Sequence, residues 1–463
     1  MKNFFRAVGA SLLGICLLTF SLWRYDIFPD LSGVTAWLQS AKDQAGDFIQ
    51  ATEDLIDETV NGGGILQLTR PVEDENQYSG YIPTEQISVD LLDLIRNTYD
   101  NHVETVDVSS YELTADDLKA IVSSVRYSCP EYFYVANDYN YVKNDQELVT
   151  EFRPKYTVDA QTAAQQMVAY EQTIAEIVAN GPKEGTDFEK VLYLHDYFVQ
   201  NYRYDYGYTI RDAYTFFEGK TGVCQAYMLA LIATGEAMGL EVLPVTSNAM
   251  NHAWNLIKID GEWYHIDITW DDAESYASYT SYAYFLHSDE HITAFDEAHT
   301  KDPAYIHHEW TTSQSAQSTY FDEAVWRESR APIVTVGDSY YCILSAGAKK
   351  TGGALYGGTV PSEMKQILAI DGKWSYQDTN SYYEGCFSGL GRLGDELIYN
   401  TDKMLRAYNV KTGQDRFLVN LPLKQYECVY GFHNIDEENR TLIVVAAPTA
   451  AEEKPREFVQ SMP

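Results

Sequence analysis

The segment NHAWNLIKIDGEWYHIDITWDD, residues 251–272, constrains the fold of this chain more than any other segment. Two runs rich in β-branched and aromatic residues flank Asp260-Gly261, and that dipeptide between such runs is the strongest short signal of a β-hairpin. A two-residue turn there places His252 opposite Thr269, so that Asp267 shares the face of His252 at a diagonal position. Diagonal neighbours lie about 7–8 Å apart at the backbone, which an imidazole and a carboxylate can bridge. The pattern therefore predicts a contact between His252 and Asp267.

The alternative is that both side chains face solvent on the surface of the hairpin. Trp254 and Trp263 share the face of His252, since Trp254 lies two residues along the same strand and the turn places Trp263 opposite Lys258, six residues from His252. Two large aromatic side chains favour burial, so we expect this face to be at least partly covered.

A second segment, TGVCQAYMLALIATGEAMG, places a thiol at the start of a helix. Residues 225–238 contain ten apolar residues near helical spacing, and Gly239 is a natural stop. Cys224 directly precedes this run. A buried cysteine that acts as a small hydrophobe is one interpretation. The other is a nucleophile, because the helix dipole and the first backbone N–H groups favour a thiolate.

A thiol at a helix start, together with a hairpin that presents histidine and aspartate, supplies the parts of a thiol acyl-transfer site. The histidine accepts the thiol proton and later protonates the leaving amine, while the aspartate orients the imidazole. Cys224, His252 and Asp267 follow each other in this order along the chain.

The motifs GVCQAY, NHAWN and WYHIDITWDD resemble the transglutaminase-like superfamily of papain-like cysteine enzymes, over roughly residues 186–300. SCPEYFYV and VLYLHDYFVQNYRYD are also similar to bacterial exported members. The resemblance implies an α+β core in which a cysteine-bearing helix packs on an antiparallel sheet that carries histidine and aspartate. It also implies that Cys224 is the nucleophile, His252 the general base and acid, and Asp267 the orienting carboxylate.

The second oxyanion donor is not evident from the resemblance. Papain-like relatives often use a glutamine shortly before the nucleophile, but this chain has TFFEGKTG there. The backbone N–H of Cys224, with Tyr202, Tyr204 or another side chain, remains as a set of alternatives.

Composition and other motifs limit the remaining functions. The chain carries 68 acidic and 33 basic residues, and its net charge of −35 repels phosphate, so no nucleic-acid partner is predicted. No P-loop or dinucleotide fingerprint is present in the sequence, so no organic cofactor is implied. No ligand set for calcium or another metal is visible, and His287 and His291 lack a third ligand.

Several further polar residues are interpreted as structural or solvent-facing. His195 lies among apolar residues of a predicted helix and favours a structural role. The remaining ones are predicted to lie on the surface or in loops: His287, His291, His307, His308, Asp271 and Asp272.

The N-terminus has the pattern of an exported protein. Lys2 and Arg6 precede an apolar run, residues 7–23, that has no charge and no small-residue cleavage site after it. The run is just long enough to span a thinned bilayer, and the positive flank places the body outside the cytoplasm. We predict an uncleaved, single-pass signal anchor in the cell membrane, with a cleaved signal peptide as the alternative.

The domain boundaries follow changes in composition. The segments predicted are a cytoplasmic N-terminus (1–6), the anchor (7–23), a stalk helix and linker (24–77), an α+β region (78–185), the transglutaminase-like core (186–314), a β-rich domain (315–450) and a flexible tail (451–463). Short β-rich runs and a repeated Gly-Asp, at 337 and 394, predict that the C-terminal domain is either propeller-blade-like or a small sandwich.

Two functions are consistent with the sequence. The first is an extracytoplasmic cysteine enzyme that attacks peptide or isopeptide amides through a thioester, with protein, peptide or cell-wall peptide as substrate. Hydrolysis by a protease or amidase is favoured over amine transfer by a crosslinker, because nothing marks an amine site. The second is an inactive, surface-anchored binding or scaffolding protein, which the acidic, tyrosine-rich composition fits equally well.

Overall fold

The structure is a computed structural model, and the described residues are 67–68, 81–272, 280–345, 352–371, 389–424, 427–448 and 456–463. The chain divides into two compact units, Met1–Gln67 and Leu68–Pro463, and everything below concerns the second. The predicted anchor, residues 7–23, lies outside the described residues, as does all of the stalk except 67–68. Within the described ranges, no helix is long and apolar enough to cross a membrane.

Helices and strands alternate in the first half of the described chain, and strands dominate the second. The α-helices of the described ranges are α1 (Val89–Asp100), α2 (Ala115–Ser128), α3 (Ala160–Asn180), α4 (Asp187–Asn201), α5 (Ala213–Gly219), α6 (Cys224–Ala237), α7 (Ile268–Asp271) and α8 (Asp289–His299). The first strands are β1 (Gln67–Leu68), β2 (Val106–Asp107), β3 (Val135–Lys143), β4 (Val149–Tyr156), β5 (Arg203–Tyr204), β6 (Thr221–Gly222), β7 (Val242–Ser247), β8 (His252–Ile259), β9 (Glu262–Ile266), β10 (Phe285–His287) and β11 (Trp310–Thr311). The later strands are β12 (Val334–Val336), β13 (Ser339–Ser345), β14 (Gly353–Gly358), β15 (Lys365–Ile370), β16 (Leu390–Leu393), β17 (Glu396–Asn400), β18 (Met404–Asn409), β19 (Asp415–Asn420), β20 (Glu427–Asp436), β21 (Thr441–Pro448) and β22 (Arg456–Ser461).

Local signals set the ends of the helices. At α4, the Glu189 N–H donates to Thr186 Oγ1 at 3.2 Å, and the Thr186 N–H donates back to Glu189 Oε2 at 2.8 Å. This is the capping box that the sequence predicts there. The helix predicted over residues 225–238 is also present, and Gly239, with φ of +80°, follows its end.

The centre of the fold is α6 packed on a five-stranded antiparallel sheet. The sheet has the order β10-β9-β8-β7-β11, and α6 packs on β7 and β8. Every residue of α6 from Cys224 to Gly235 is buried, because α3, α4 and α5 cover the faces that the sheet leaves open. A cysteine-bearing helix on an antiparallel sheet is the α+β core expected from the resemblance.

The β8–β9 hairpin confirms one part of the register prediction and corrects another. Asp260 and Gly261 have φ of +51° and +89°, as a type I′ turn requires, and Ile259 pairs with Glu262. The predicted pairing of His252 with Thr269 is wrong. β9 ends at Ile266, and His252 pairs instead with Ser247 on β7.

The C-terminal part is all-β, as predicted. It forms three antiparallel sheets, each built from strands consecutive in sequence: β12–β15, β16–β19 and β20–β22. The first strands of neighbouring sheets are in contact, β12 with β16 and β16 with β20. This up-and-down order resembles propeller blades, the first of the two predicted alternatives. β22 lies within residues 451–463, which were predicted to be a flexible tail, and it pairs with β21. The domain boundaries themselves stay predictions.

Candidate active site

Cys224 occupies the first position of α6, with Val223 as the N-cap residue. The Val223 N–H donates to the Ile210 carbonyl at 2.9 Å, and the preceding strand β6 pairs in parallel with β5. The backbone before the thiol is therefore held on both sides. The Cys224 side chain is buried, and its place at a positively polarised helix end favours a thiolate.

His252 begins β8 and meets Asp267 through a hydrogen bond of 2.5 Å between Nε2 and Oδ2. The imidazole lies between two indoles. Trp254 stacks on it with ring centroids 5.5 Å apart, and Trp270 does so at 5.1 Å. The predicted contact of His252 with Asp267 is present, and its face is covered, as the tryptophan at 254 indicated.

The thiol of Cys224 is hydrogen-bonded to His252. Because Asp267 takes Nε2, the nitrogen left for the thiol is Nδ1. Burial disfavours the imidazolium, but the charge and hydrogen bond of Asp267, together with the bond from Cys224, outweigh it and raise the pKa of His252 well above its usual range. Asn255 fixes the helix to the strand, since its Nδ2 donates to the Met228 carbonyl of α6 at 3.2 Å.

Asp267 lies just beyond β9 rather than within it. Its Oδ1 accepts the Trp270 N–H at 3.1 Å and caps the short helix α7, which explains why the strand ends before the predicted pairing. The carboxyl is fully buried. Burial alone would raise its pKa, but the hydrogen bonds and charges of His252 and His307 outweigh burial and lower the pKa.

His307 is a member of this cluster that the sequence did not reveal. It lies in a loop, which is one of the two predicted alternatives, but the surface alternative is wrong because its side chain is completely buried. Its Nε2 lies 3.0 Å from Asp267 Oδ2, and its Nδ1 lies 2.7 Å from Asp296 Oδ2 on α8. Tyr284 donates its hydroxyl to Asp296 Oδ1 at 2.9 Å. No motif links these residues, since only the packing of α8 against the sheet brings them together.

The other residues predicted to face solvent are mostly buried. Asp271 and Asp272 lie inside: Asp271 accepts the Tyr284 N–H at 3.0 Å, and Asp272 accepts the Tyr227 hydroxyl at 2.5 Å. His287 is also buried, with Nε2 2.6 Å from the Ala283 carbonyl and Nδ1 2.8 Å from Nδ1 of His291. Hydrogen bonds satisfy these groups, so they form part of the core and not of a solvated surface.

His195 is completely buried on α4, as a structural role requires. Its Nδ1 lies 2.9 Å from Asp196 Oδ1, and its Nε2 lies 3.2 Å from Asp271 Oδ2. Burial lowers its basicity, but the two carboxylates outweigh burial and raise the pKa to about 9.

Within the described residues, His252, Asp267 and His307 are the group close enough together to be tested as a metal site. Two ligands on one tetrahedral zinc lie about 3.3 Å apart at bond lengths of about 2.0–2.1 Å. The 2.5 Å between His252 Nε2 and Asp267 Oδ2 is shorter than that separation. The cluster therefore fits hydrogen bonds better than it fits a metal.

Tyr204 lies beside the thiol. Its strand pairs with β6 so that Tyr204 is opposite Gly222, two residues before Cys224. Burial, with a further contribution from the negative charge of Cys224, raises the pKa of its phenol, which stays protonated at neutral pH. Tyr202 is buried against Phe216, with ring centroids 4.4 Å apart, and contributes no such coupling. Of these two tyrosines, Tyr204 is the one coupled to the charge of Cys224, as Tyr127 on α2 also is.

The site has a papain-like arrangement. It places a thiol at a helix start, an imidazole on an antiparallel strand and a carboxylate just after the next strand. Comparison with known families agrees. Residues 171–268 match the core of the transglutaminase-like superfamily, which confirms the resemblance seen in the motifs. The superfamily includes cysteine proteases and crosslinking enzymes, and the matched segment contains Cys224, His252 and Asp267.

Two solved structures also match this chain, at low similarity. One is a crystal structure from Cytophaga hutchinsonii provisionally described as a cysteine protease, with 21% identity and a TM-score of 0.19 over 24% of this chain and 43% of that chain. Another is a TGase with 17% identity and a TM-score of 0.20, over 29% of this chain and 43% of that chain. The match thus spans less than half of either structure, and TM-scores this low support no argument on function. No curated protein matches this chain.

Proposed function

We propose that this protein is a cysteine acyl-transfer enzyme that cleaves peptide or isopeptide amide bonds through a thioester. The observation that carries the proposal is the chain of contacts from Cys224 to His252 to Asp267 at the start of a buried helix. A merely structural cysteine has no need of a hydrogen-bonded imidazole whose pKa is raised by a buried carboxylate.

In the first half of the reaction, the Cys224 thiolate attacks the amide carbon. The new C–S bond places an electron pair on the carbonyl oxygen. As the oxyanion collapses, the C–N bond breaks and His252 gives its proton to the leaving nitrogen, so that an amine departs and a thioester remains. His252 is then neutral and ready to act as a base.

In the second half, neutral His252 takes a proton from water while the water oxygen attacks the thioester carbon. The C–S bond breaks in the next collapse and restores the thiolate beside the imidazolium, with a carboxylic acid as product. Asp267 holds the ring of His252 throughout through Nε2, which keeps Nδ1 directed at the sulfur.

Two donors are proposed for the oxyanion. One is the Cys224 backbone N–H, in the first turn of α6, where the positive end of the helix favours a negative charge. The Tyr204 hydroxyl is the second donor, in agreement with its raised pKa and its place beside Gly222. Tyr206 and Tyr208, which are exposed and contact the ring of Tyr204, are proposed to contact the substrate around the scissile bond.

The substrate is proposed to be protein, peptide or cell-wall peptide, and hydrolysis is favoured over amine transfer. Action outside the cytoplasm on a membrane anchor is part of the proposal and rests on Lys2, Arg6 and the apolar run of residues 7–23 alone. N-terminal sequencing of protein from the membrane fraction tests it. A mature chain that begins near residues 24–30 would replace the anchor with a cleaved signal peptide.

The activity is tested by incubating the full chain with peptide, isopeptide and cell-wall peptide libraries, with and without a primary amine, and identifying products by mass spectrometry. New carboxyl groups indicate hydrolysis, and amine adducts indicate transfer. Iodoacetamide labelling near neutral pH gives a second readout. Cys224 should react faster than Cys129 and Cys342, since burial raises the pKa of those two thiols to about 11 and about 12. Equal labelling of all three thiols would contradict the proposal.

A further inference from the structure

His307 lies between two carboxylates, and each of its ring nitrogens faces an oxygen. Nε2 is 3.0 Å from Asp267 Oδ2, and Nδ1 is 2.7 Å from Asp296 Oδ2. Asp296 Oδ2 also accepts the His307 backbone N–H at 2.6 Å. His307, Asp267 and Asp296 are all buried, so water does not compete for these bonds.

The acceptors determine the state of the ring. An ionised carboxylate only accepts hydrogen bonds, so both contacts are satisfied when both nitrogens of His307 carry protons. The ring is then a cation with a carboxylate on each side, which is the arrangement that a buried charge requires.

Asp267 Oδ2 is shared. The same oxygen accepts from His252 at 2.5 Å and from His307 at 3.0 Å, and the two imidazole centroids are 5.9 Å apart. When two cations share one carboxylate oxygen, each neutralises part of the negative charge that stabilises the other. The protonated form of each ring is therefore stabilised less than it would be alone.

We propose that Asp296 holds His307 as an imidazolium. We further propose that this buried cation limits how strongly the charge of Asp267 stabilises the protonated form of His252. His307 is thus a positioning and tuning residue of the site. It acts through Asp267 and does not touch the substrate. The inference rests on the proposed function for its meaning in catalysis, since a proton held too tightly on His252 cannot pass to the leaving amine.

The other groups around His307 do not cancel its effect on Asp267 and His252. The titratable groups that face it from the packed elements are His252, His265, Asp267, Tyr284, His287 and Asp296. His265 and His287 are held neutral, since burial lowers the pKa of both. His252 faces Cys224, Asp267 and His307. Among the histidines named here, His307 is the one that contacts a carboxylate through each ring nitrogen.

The direction of the effect separates this role from a merely structural one. Removing the charge of His307 while keeping a donor to Asp267 should strengthen the hold of Asp267 on His252. The pH at which His252 loses its proton should then rise. If His307 merely held Asp267 in place, its loss would weaken the bond from Asp267 to His252, and that pH would fall.

The experiment follows the ring nitrogens of ¹⁵N-histidine-labelled full chain by NMR from pH 5 to 11, with His252→Ala and His307→Gln spectra for assignment. We expect His307 to carry two ring protons at pH 7 in the wild type. In His307→Gln, the midpoint of His252 should rise by roughly one pH unit. Asp296→Asn should leave His307 neutral and raise the midpoint by less, because it also removes a negative charge. His102→Gln, in the N-terminal region, is the matched control and should leave the midpoint unchanged.

A neutral His307 in the wild type, or a midpoint that stays or falls in both variants, overturns the inference. Thermal unfolding of both variants checks that they are folded. The NMR readout does not depend on turnover, so absence of peptide cleavage would refute the proposed function and leave this test intact.

Discussion

Within the part of the chain that the structure describes, two buried histidines each lie between two carboxylates, with different consequences. His307 lies between Asp267 and Asp296, and His195 lies between Asp196 and Asp271. Both rings are fully buried.

The two clusters differ in the groups that their carboxylates contact besides the histidine. Asp267 also bonds His252, which is hydrogen-bonded to a thiol at a helix start. Around His195, Asp196 accepts the Tyr282 hydroxyl at 2.9 Å and Asp271 accepts the Tyr284 N–H at 3.0 Å. The first cluster ends at the thiol for which we propose a reaction, and the second ends in a tyrosine hydroxyl and a backbone N–H. A buried histidine–carboxylate pair is therefore evidence of function only when a reactive group lies at its end.

The largest effect is expected from the thiol and its base. Cys224→Ala and His252→Ala should each reduce kcat/KM about 10⁴-fold or more, since the three residues act as a unit. Circular dichroism should show an intact fold. Cys129→Ala is the matched control, a buried thiol in the N-terminal region, and should keep wild-type turnover. Substantial turnover by Cys224→Ala on a proven substrate would refute the mechanism.

The next largest effect is expected from the matched substitutions Asp267→Asn and Asp271→Asn, which compare the two clusters by their effect on kcat. Asp267→Asn should reduce kcat about 10²- to 10⁴-fold, because the amide no longer stabilises the imidazolium of His252. Asp271→Asn, its counterpart beside His195, should leave kcat per folded molecule close to wild type and lower the unfolding midpoint. Comparable loss of kcat in both variants would mean that the two clusters are functionally coupled.

His195→Leu should reduce the free energy of unfolding by about 3–5 kcal/mol, because it leaves two buried carboxylates without their shared partner. Urea unfolding measures the change. The activity of the folded fraction should be retained, and its loss would assign His195 a part in the reaction.

Tyr204→Phe should reduce kcat about 10²-fold, with little change in KM, because an oxyanion donor acts mainly in the transition state. Tyr202→Phe is the control two residues away and should have near wild-type kcat, since its ring packs against Phe216. If the two variants behave alike, Tyr204 is not the donor.

The smallest expected effect concerns pH. The pKa of His195 is raised from its ordinary 6.5 to about 9, so its stabilising contribution is present below pH 6.5 and is lost as pH rises through about 9. The loss should be about 2–3 kcal/mol between pH 7 and 10. His195→Gln should show a shallower decline in urea unfolding over this range. An identical decline would mean that His195 does not titrate there.

Local signals allowed much of the core to be predicted. The capping box at Thr186 and the turn at Asp260-Gly261 depend on a few adjacent residues, and both are present. The contact of His252 with Asp267 was predicted from a strand pairing that does not form. It is present because Asp267 directly follows the last residue of β9. There it caps α7, beside the face that carries His252.

The sequence by itself determined the helix that starts at the thiol, the hairpin and the order of the three candidate site residues. Each depends on neighbours in the chain, whose effect is the same in any fold. Only the tertiary structure decided that His307 and Asp296 complete the cluster, and that Asp271, Asp272 and His287 are buried. A polar side chain has no local signal for burial, because its desolvation is offset by partners that folding brings from distant parts of the chain.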